Sequence, residues 1–188
     1  MKIHASNDTD RFEVAPGPCI GRLKRIVDFG TQTGTWEGKQ YSRRKVNIGF
    51  QLFPEDAPAD QAVYLSKTFT ASLDERASLR RFVEGLRGAP ITAEDLVNGF
   101  ELNNLLGTAA TLNITQNSAG KPSISSAMPL MAGMNAPEGE EVISYNIGDD
   151  ISKLPSWMVN VIAQSPEGAA AGVVPVADAA LGAEDAPF

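Results

Sequence analysis

The sequence predicts a mainly β protein of the α+β class, and three observations support that prediction. Five stretches alternate apolar and polar residues or are rich in β-branched residues, as strands are. One helical pattern lies between the third and fourth of these stretches, and a second lies near the C-terminus. With 188 residues, of which 43% are hydrophobic, the chain can build one domain with a core and an appendage.

The second predicted strand, residues 43–53, has the clearest alternation. It opens on three consecutive cations, Arg43, Arg44 and Lys45, and its polar face has no carboxylate. This concentration of positive charge in an acidic protein predicts a binding face. The opposite face is apolar and is expected to enter the core: Val46, Ile48, Phe50 and Leu52.

Similar patterns place the other strands and the main helix. A polar loop with three glycines is predicted at residues 30–42. Ser72 and Glu75 have the spacing of a capping box, which predicts that the helix begins there. The helix has an apolar stripe formed by Leu79, Phe82, Val83 and Leu86. Strands are predicted at residues 19–29, 62–70, 108–116 and 121–128.

The order of these elements predicts a five-stranded OB-fold barrel with a helix between strands 3 and 4. A five-stranded sandwich with an inserted helix is the alternative. The chain would then divide into an N-terminal arm at 1–16, an OB-fold domain at 17–130, a C-terminal extension at 131–165, and a disordered linker with an acidic tip at 166–188. Within the extension, a further strand is predicted at 140–147 and a short helix at 154–164.

Charge is distributed unevenly along the chain, whose net charge is −7. Residues 17–90 hold 12 Lys and Arg against 8 Asp and Glu, whereas residues 91–188 hold 2 against 12. A basic front half and an acidic rear half are consistent with an anionic partner for the front. One cysteine, no membrane-spanning run and no signal peptide predict a soluble, cytoplasmic protein.

Residues for catalysis or metal binding are scarce. The single histidine is His4 and the single cysteine is Cys19, on an apolar strand face, so a Cys–His or Ser–His nucleophile is not expected. No Cys/His cluster has zinc spacing, and no phosphate-binding glycine motif is present. The sequence therefore predicts a protein that is not an enzyme, with no catalytic residue, metal or cofactor.

A stronger pattern is a set of cations interleaved with aromatic residues on the first three strands and the first loop. Non-specific binding of single-stranded nucleic acid needs cations that follow phosphates and rings on which bases stack. The alternative is a solvated basic edge that prevents aggregation between strands. The candidate nucleic-acid-binding residues are Lys24, Arg25, Trp36, Lys39, Tyr41, Arg43, Arg44, Lys45, Phe53 and Lys67.

The C-terminus carries a second recognition signal. Glu184, Asp185, Pro187 and Phe188 combine negative charge, one apolar ring and a terminal carboxylate, which a basic pocket with an apolar floor would recognise together. The alternative is a frayed tail. The same negative charge could compete with nucleic acid for the basic face, in which case deleting residues 182–188 should tighten oligonucleotide binding at low salt.

Two resemblances follow from these motifs. The terminal E-D-A-P-F resembles the acidic tip of bacterial single-stranded DNA-binding proteins, although Ala186 replaces isoleucine and the acidic run is shorter. The body resembles tailed-phage single-stranded DNA-binding proteins in its segments V-D-F-G-T-Q, R-R-K-V-N-I, K-T-F-T-A-S-L, L-R-R-F-V-E-G-L-R-G, G-F-E-L-N-N-L-L-G, L-P-S-W-M and I-A-Q-S-P-E.

These resemblances imply an OB-fold that coats single-stranded DNA during phage replication or recombination, in the cytoplasm of a bacterial host. They also imply that the tip docks phage or host replication and repair proteins. A homo-oligomer is compatible with this function. The competing hypothesis from another class is an OB-like adaptor that binds proteins and not nucleic acid, and a small nuclease is a third.

Overall fold

The computed structural model describes residues 13–58 and 62–176, which are mainly β with helices, as the α+β class requires. The strands are β1 (Gly17–Trp36), β2 (Lys39–Leu52), β3 (Val63–Thr70), β4 (Ala109–Gln116), β5 (Pro122–Pro129) and β6 (Ile143–Tyr145). The helices are α1 (Ser78–Arg87), α2 (Ala93–Asn98), α3 (Ser156–Ala163) and α4 (Pro166–Ala170), with a 3₁₀ turn at Leu102–Leu105. None of the described helices is both long and apolar enough to cross a bilayer.

β1 and β2 form one long antiparallel hairpin, so the prediction of a loop at residues 30–42 is wrong. The strands remain paired as far as Trp36 opposite Lys39. Glu37 and Gly38 make the turn, and their φ values of 49° and 76° are both left-handed, as a type I′ hairpin turn requires. The glycine content of the stretch favoured a loop, but cross-strand pairing makes it a strand because β structure depends strongly on context.

The strands belong to one six-stranded sheet with the order β3-β2-β1-β4-β5. These neighbours are antiparallel, and the short β6 pairs in parallel with β1. Within the described residues, no backbone ladder joins β3 to β5, so the hydrogen-bonded sheet is open.

The main core covers one face of this sheet, which we call the inner face. The apolar side of β2 is buried there as predicted, with Ile48 and Phe50 fully inaccessible. The predicted stripe of α1 packs onto the same core, and the rings of Phe82 and Phe69 meet with their centroids 4.9 Å apart. α1 therefore lies on the inner side of the sheet.

α1 begins at Ser78, later than predicted. The prediction of a capping box at Ser72 and Glu75 is therefore wrong. Ala77 is the N-cap and provides no side-chain hydrogen bond. The Ser72 hydroxyl instead donates to the Asp74 carboxylate at 2.8 Å, in a turn that precedes the helix. Serine and acidic residues bond to nearby backbone and side chains in turns as readily as in caps, so the spacing alone was ambiguous.

A second, smaller core lies on the opposite face of β1. β1 has irregular register between Leu23 and Arg25 and between Asp28 and Gly30. Such bulges shift the alternation, and Val27 therefore faces away from Leu23, although strict alternation would put these two residues on one face. β6 and α3 cover this second core, which contains Val27, Phe29, Tyr145, Leu154, Met158, Val159 and Ile162.

The linker predicted to start at residue 166 begins with α4 instead. Ser165 caps this helix by accepting from the backbone N–H of Gly168 at 2.9 Å. Glu167 then joins α4 to β1, since its carboxylate accepts from the backbone N–H of Thr31 at 2.9 Å and also from the Thr31 hydroxyl. The predicted acidic tip at residues 184–188 lies outside the described residues.

Candidate nucleic-acid interface

The polar alternation of β2 lies on the outer face of the sheet, opposite α1 and the main core. Antiparallel pairing places β3 beside it, with Thr70 opposite Lys45 and Tyr64 opposite Gln51. Polar and aromatic side chains therefore form two adjacent rows. They are Tyr41, Arg43, Lys45, Asn47 and Gln51 on β2, and Tyr64, Ser66, Thr68 and Thr70 on β3.

An aromatic ring with two cations stands at the hairpin end of this face. The Arg43 guanidinium carbon lies 5.9 Å from the centroid of the Tyr41 ring, and the Lys45 ammonium lies 5.8 Å from it. Both distances are within the range of a cation–π contact. Neither cation forms an ion pair with a described carboxylate. We call Tyr41, Arg43 and Lys45 the Tyr41 cluster.

A glycine on the neighbouring strand positions the Tyr41 ring. Gly34 is the register partner of Tyr41, and a Cβ atom added at Gly34 would collide with the ring. The ring therefore lies against the backbone of β1, an arrangement by which aromatic residues cover glycines in sheets. Tyr41 stays half-exposed, so part of its ring is available to a ligand.

Lys45 is positioned on this face by a neutral partner, so its charge is not balanced by a described carboxylate. Its ammonium donates to the Thr70 hydroxyl across the β2–β3 pair at 3.2 Å. Partial burial, and secondarily the charge of Arg43, lower the pKa of Lys45. A phosphate oxygen at this point would stabilise the charged form of the amine.

Asn47 organises the middle of the outer face. It is fully buried, and its Nδ2 donates to the hydroxyls of Ser66 at 3.2 Å and Thr68 at 3.0 Å. Its Oδ1 is buried without a hydrogen-bond partner. The two β3 hydroxyls are only partly buried, so they can still donate to a ligand on this face.

The other end of the outer face is built around Tyr64. The guanidinium carbon of Arg25 lies 5.3 Å from the centroid of the Tyr64 ring, and Arg25 Nε is buried without a partner. The Tyr64 hydroxyl donates to the Glu140 carboxylate at 2.6 Å. Burial and this hydrogen bond raise the pKa of Tyr64. Lys24, only 6% exposed, packs beside this end.

Three of the sequence-predicted residues do not join this surface. Arg44 forms an ion pair with Asp28, and that contact raises the pKa of Arg44. Lys67 faces the inner side of the sheet and donates to the backbone oxygen of Ile124 on β5 at 2.6 Å. Phe53 lies past the end of β2, at the opposite end from Tyr41.

Two further predicted residues lie at the tip of the hairpin. Lys39 starts β2 and is exposed. Trp36 ends β1 opposite Lys39, and its side chain lies outside what the structure describes. The structure therefore brings Arg25, Tyr41, Arg43 and Lys45 to one face, with Lys39 at its hairpin end and Lys24 beside its other end.

Sequence reasoning placed Asn47 on this face of β2 but missed Tyr64 and the β3 hydroxyls as members of it. The alternation of Tyr64, Ser66 and Thr68 was visible in the sequence and would have placed them on one side of β3. Their juxtaposition with Lys45 and Arg25 depends on the β2–β3 register, which alternation alone does not specify.

The described part of the chain contains no group of three or more His, Cys, Asp or Glu side chains arranged to hold a metal ion. No protein-family model matches the sequence, and a search of curated proteins found no match.

Proposed function

We propose that this protein binds single-stranded DNA without sequence specificity and protects single strands during phage DNA replication or recombination. The observation that supports this most strongly is the Tyr41 cluster, a half-exposed ring held against Gly34 with Arg43 and Lys45 beside it. A ring and adjacent cations supply the two interactions that sequence-independent binding uses, base stacking and phosphate contact.

The strand order supports an OB-type barrel as the framework for this function. An OB barrel has neighbours in the order β3-β2-β1-β4-β5, and closure brings β3 next to β5. The described sheet has that order, and α1 lies between β3 and β4 in sequence. Lys67 bridges the two edge strands by its hydrogen bond to Ile124. OB folds bind oligonucleotides on the face of strands 2 and 3, which is where the Tyr41 cluster lies; this is an analogy of fold.

The rows on β2 and β3 indicate how a strand would be held. Phosphates would follow the cations of the Tyr41 cluster, and one base would stack on Tyr41 for about 1–3 kcal/mol. Hydroxyls of Ser66 and Thr68 would add hydrogen bonds that any nucleotide can accept. Tyr41, Arg43 and Lys45 are the accessible part of the β2 row and extend about 13 Å, because Asn47 and Gln51 beyond them are buried.

The proposed role of the C-terminal tip is inferred from its sequence alone. Glu184, Asp185, Pro187 and Phe188 would recruit replication or repair partners, as the resemblance implies. A chain that lacks residues 182–188 should keep oligonucleotide binding and lose those partners. Tighter binding by this truncated chain at low salt would show in addition that the tip competes with DNA.

The function is tested by titrating the full chain with oligo-dT at several salt concentrations and following tryptophan fluorescence. We expect quenching that weakens steeply with salt, because phosphate contacts release counterions. The double variant Arg43→Gln/Lys45→Gln should weaken binding and flatten the salt dependence. The matched control, Arg76→Gln/Arg81→Gln, removes two exposed charges near α1 and should change little. No response to oligo-dT at low salt would refute the proposal.

A protein-interaction adaptor is the second candidate, and one surface feature favours it. Met128, Met131 and Met134 are 49%, 66% and 44% exposed, and exposed methionines are common at adaptable protein-binding surfaces. If the folded protein does not bind oligo-dT, a protein-interaction adaptor becomes the preferred function.

A further inference from the structure

An acidic segment from the rear of the chain crosses the Tyr64 end of the outer face. It comprises residues 136–141, Ala-Pro-Glu-Gly-Glu-Glu. Arg22 of β1 anchors its start, because Nη2 donates to the carbonyl of Ala136 and Nε to that of Pro137, each at 2.8 Å. The segment is therefore fastened to the strand that borders β2.

Further along, the exposed residue Glu140 makes hydrogen bonds to both rows of the outer face. Its backbone N–H donates to Gln51 Oε1 at 2.7 Å, and its carboxylate accepts from the Tyr64 hydroxyl at 2.6 Å. Gly139 is so close that an added Cβ atom would collide with Gln51 and approach the Lys24 side chain. The segment thus packs tightly over Lys24, a residue that the sequence predicted to contact nucleic acid.

The groups around the Glu140 carboxylate have the chemistry of an anion site. Tyr64 offers a hydroxyl donor, and Arg25 places a guanidinium over the Tyr64 ring. Arg25 Nε is buried and has no hydrogen-bond partner, so this donor is left unused by the acidic segment. A phosphodiester carries more acceptor oxygens than one carboxylate and can use donors on several sides.

Glu140 is the carboxylate of the segment that reaches the sheet. Glu141 pairs with Lys153 at 3.0 Å, and its side chain is 74% exposed. Glu138 is exposed as well. The contact with Tyr64 is therefore a feature of one residue and not of the net charge of the segment.

We propose that the corner formed by Tyr64, Arg25, Gln51 and Lys24 is a phosphate subsite for single-stranded DNA, and that the Glu140 carboxylate occupies it in the free protein. The inference rests on the proposed function. A bound strand would lift the acidic segment and place a backbone phosphate on Tyr64 and Arg25. The subsite would extend the Tyr41 cluster along the same face, so one strand would contact both ends.

Occupation of the subsite by Glu140 should weaken the measured affinity. When only a fraction of molecules is open, the apparent dissociation constant is the intrinsic one divided by that fraction. Weakening the contact should therefore tighten binding, with no new interaction between protein and DNA. Glu140→Gln removes the charge, whereas Gly139→Ala leaves the charge unchanged and disrupts the packing at a residue with a φ of 69°.

The experiment measures binding of labelled oligo-dT to the full chain at low salt by fluorescence anisotropy. We expect Glu140→Gln to tighten binding by about three- to tenfold, Gly139→Ala to tighten it in the same direction, and the control Glu138→Gln to have a much smaller effect. Adding Tyr64→Phe to the Glu140→Gln chain should reverse the gain, because the ring stays and the phosphate donor is lost.

Each outcome bears on either the subsite or the function. Equal effects of Glu140→Gln and Glu138→Gln would overturn the subsite, since net charge would then explain both, while oligo-dT binding would stand. Full retention of the gain after Tyr64→Phe would also overturn it. No binding by the original chain at low salt would refute the proposed function and the subsite with it.

A second readout needs no DNA. Glu140→Gln should lower the pKa of Tyr64, measured by the ultraviolet absorbance of tyrosinate, because the hydrogen bond to Glu140 helps to hold that pKa above its usual value. An unchanged tyrosinate titration would overturn the contact on which the subsite depends.

Discussion

The ammonium of Lys67 on β3 donates to the backbone oxygen of Ile124 on β5 at 2.6 Å, between the two strands at the ends of the sheet order. Lys67 also lies 5.6 Å from the ring centroid of Phe69. Burial lowers the pKa of Lys67, so its charge is partly desolvated at this seam. Because of this contact, a lysine that the sequence assigned to the binding surface has a structural role.

Lys67→Met should therefore lower stability more than DNA affinity. It removes the hydrogen bond to Ile124 and keeps most of the apolar stem, so we expect a loss of about 1 kcal/mol in the free energy of unfolding, measured by urea denaturation. Lys39→Met, at the exposed hairpin tip, should leave stability unchanged. If Lys67→Met weakens oligo-dT binding at unchanged stability, Lys67 belongs to the interface.

Tyr41→Leu tests base stacking. Loss of a ring that stacks on one base costs about 1–3 kcal/mol, so affinity for oligo-dT should fall by about 5- to 150-fold. The salt dependence should be kept, since the ring neutralises no phosphate. Tyr41→Phe retains the ring and should bind nearly as the original chain does; an equal loss in both variants would point to the hydroxyl and not to stacking.

Gly34→Ala tests whether the position of the ring matters. The new methyl group would displace Tyr41 from the β1 backbone, while the φ of Gly34 is not in the left-handed region and permits alanine. We expect weaker oligo-dT binding with little change in stability. Placed in the Tyr41→Leu chain, Gly34→Ala should cause no further loss of affinity, and additive losses in this double-mutant cycle would contradict the coupling.

The contact between Glu167 and Thr31 should make stability depend on pH. Hydrogen bonds from Thr31 lower the pKa of Glu167 below its ordinary value of 4.5. The unfolded chain then binds more protons between the two pKa values, so this contribution is complete above the unfolded pKa and is lost as pH falls through the folded pKa.

Stability should accordingly fall less steeply with decreasing pH below about pH 4.5 in Glu167→Gln than in the original chain. Thermal unfolding at a series of acidic pH values measures this, with Glu138→Gln as the control. Other carboxyls with lowered pKa values, such as Glu84 and Asp95, keep the rest of the pH dependence. Identical pH profiles for the original chain and Glu167→Gln would contradict a role for this contact.

Much of the fold followed from short-range patterns. The apolar side of β2, the stripe of α1 and the short helix near residue 160 were all predicted at nearly their observed positions. The errors occurred where secondary structure was predicted from composition alone, without knowledge of which strands pair. Residues 30–42 are rich in glycine and were predicted as a loop, yet most of them form strand by pairing within the hairpin.

Part of the candidate site was also predictable from the alternation of side chains along one strand. Arg43 and Lys45 were recognised by their alternation on β2, and both lie on the outer face beside Tyr41. Tyr64 was overlooked because its contacts with Arg25 and Glu140 join residues that are remote from it in sequence. No local pattern around Tyr64 encodes those contacts.

The amino-acid pattern was sufficient to predict which side of β2 enters the core and the order of the strands with α1 and α3, because side-chain period is a property of one stretch of chain. Tertiary structure alone decided which cations lie together. It paired Arg44 with Asp28, turned Lys67 to Ile124, and left Arg43 and Lys45 beside Tyr41. Bulges and strand register set those partners, and both arise from contacts between distant segments.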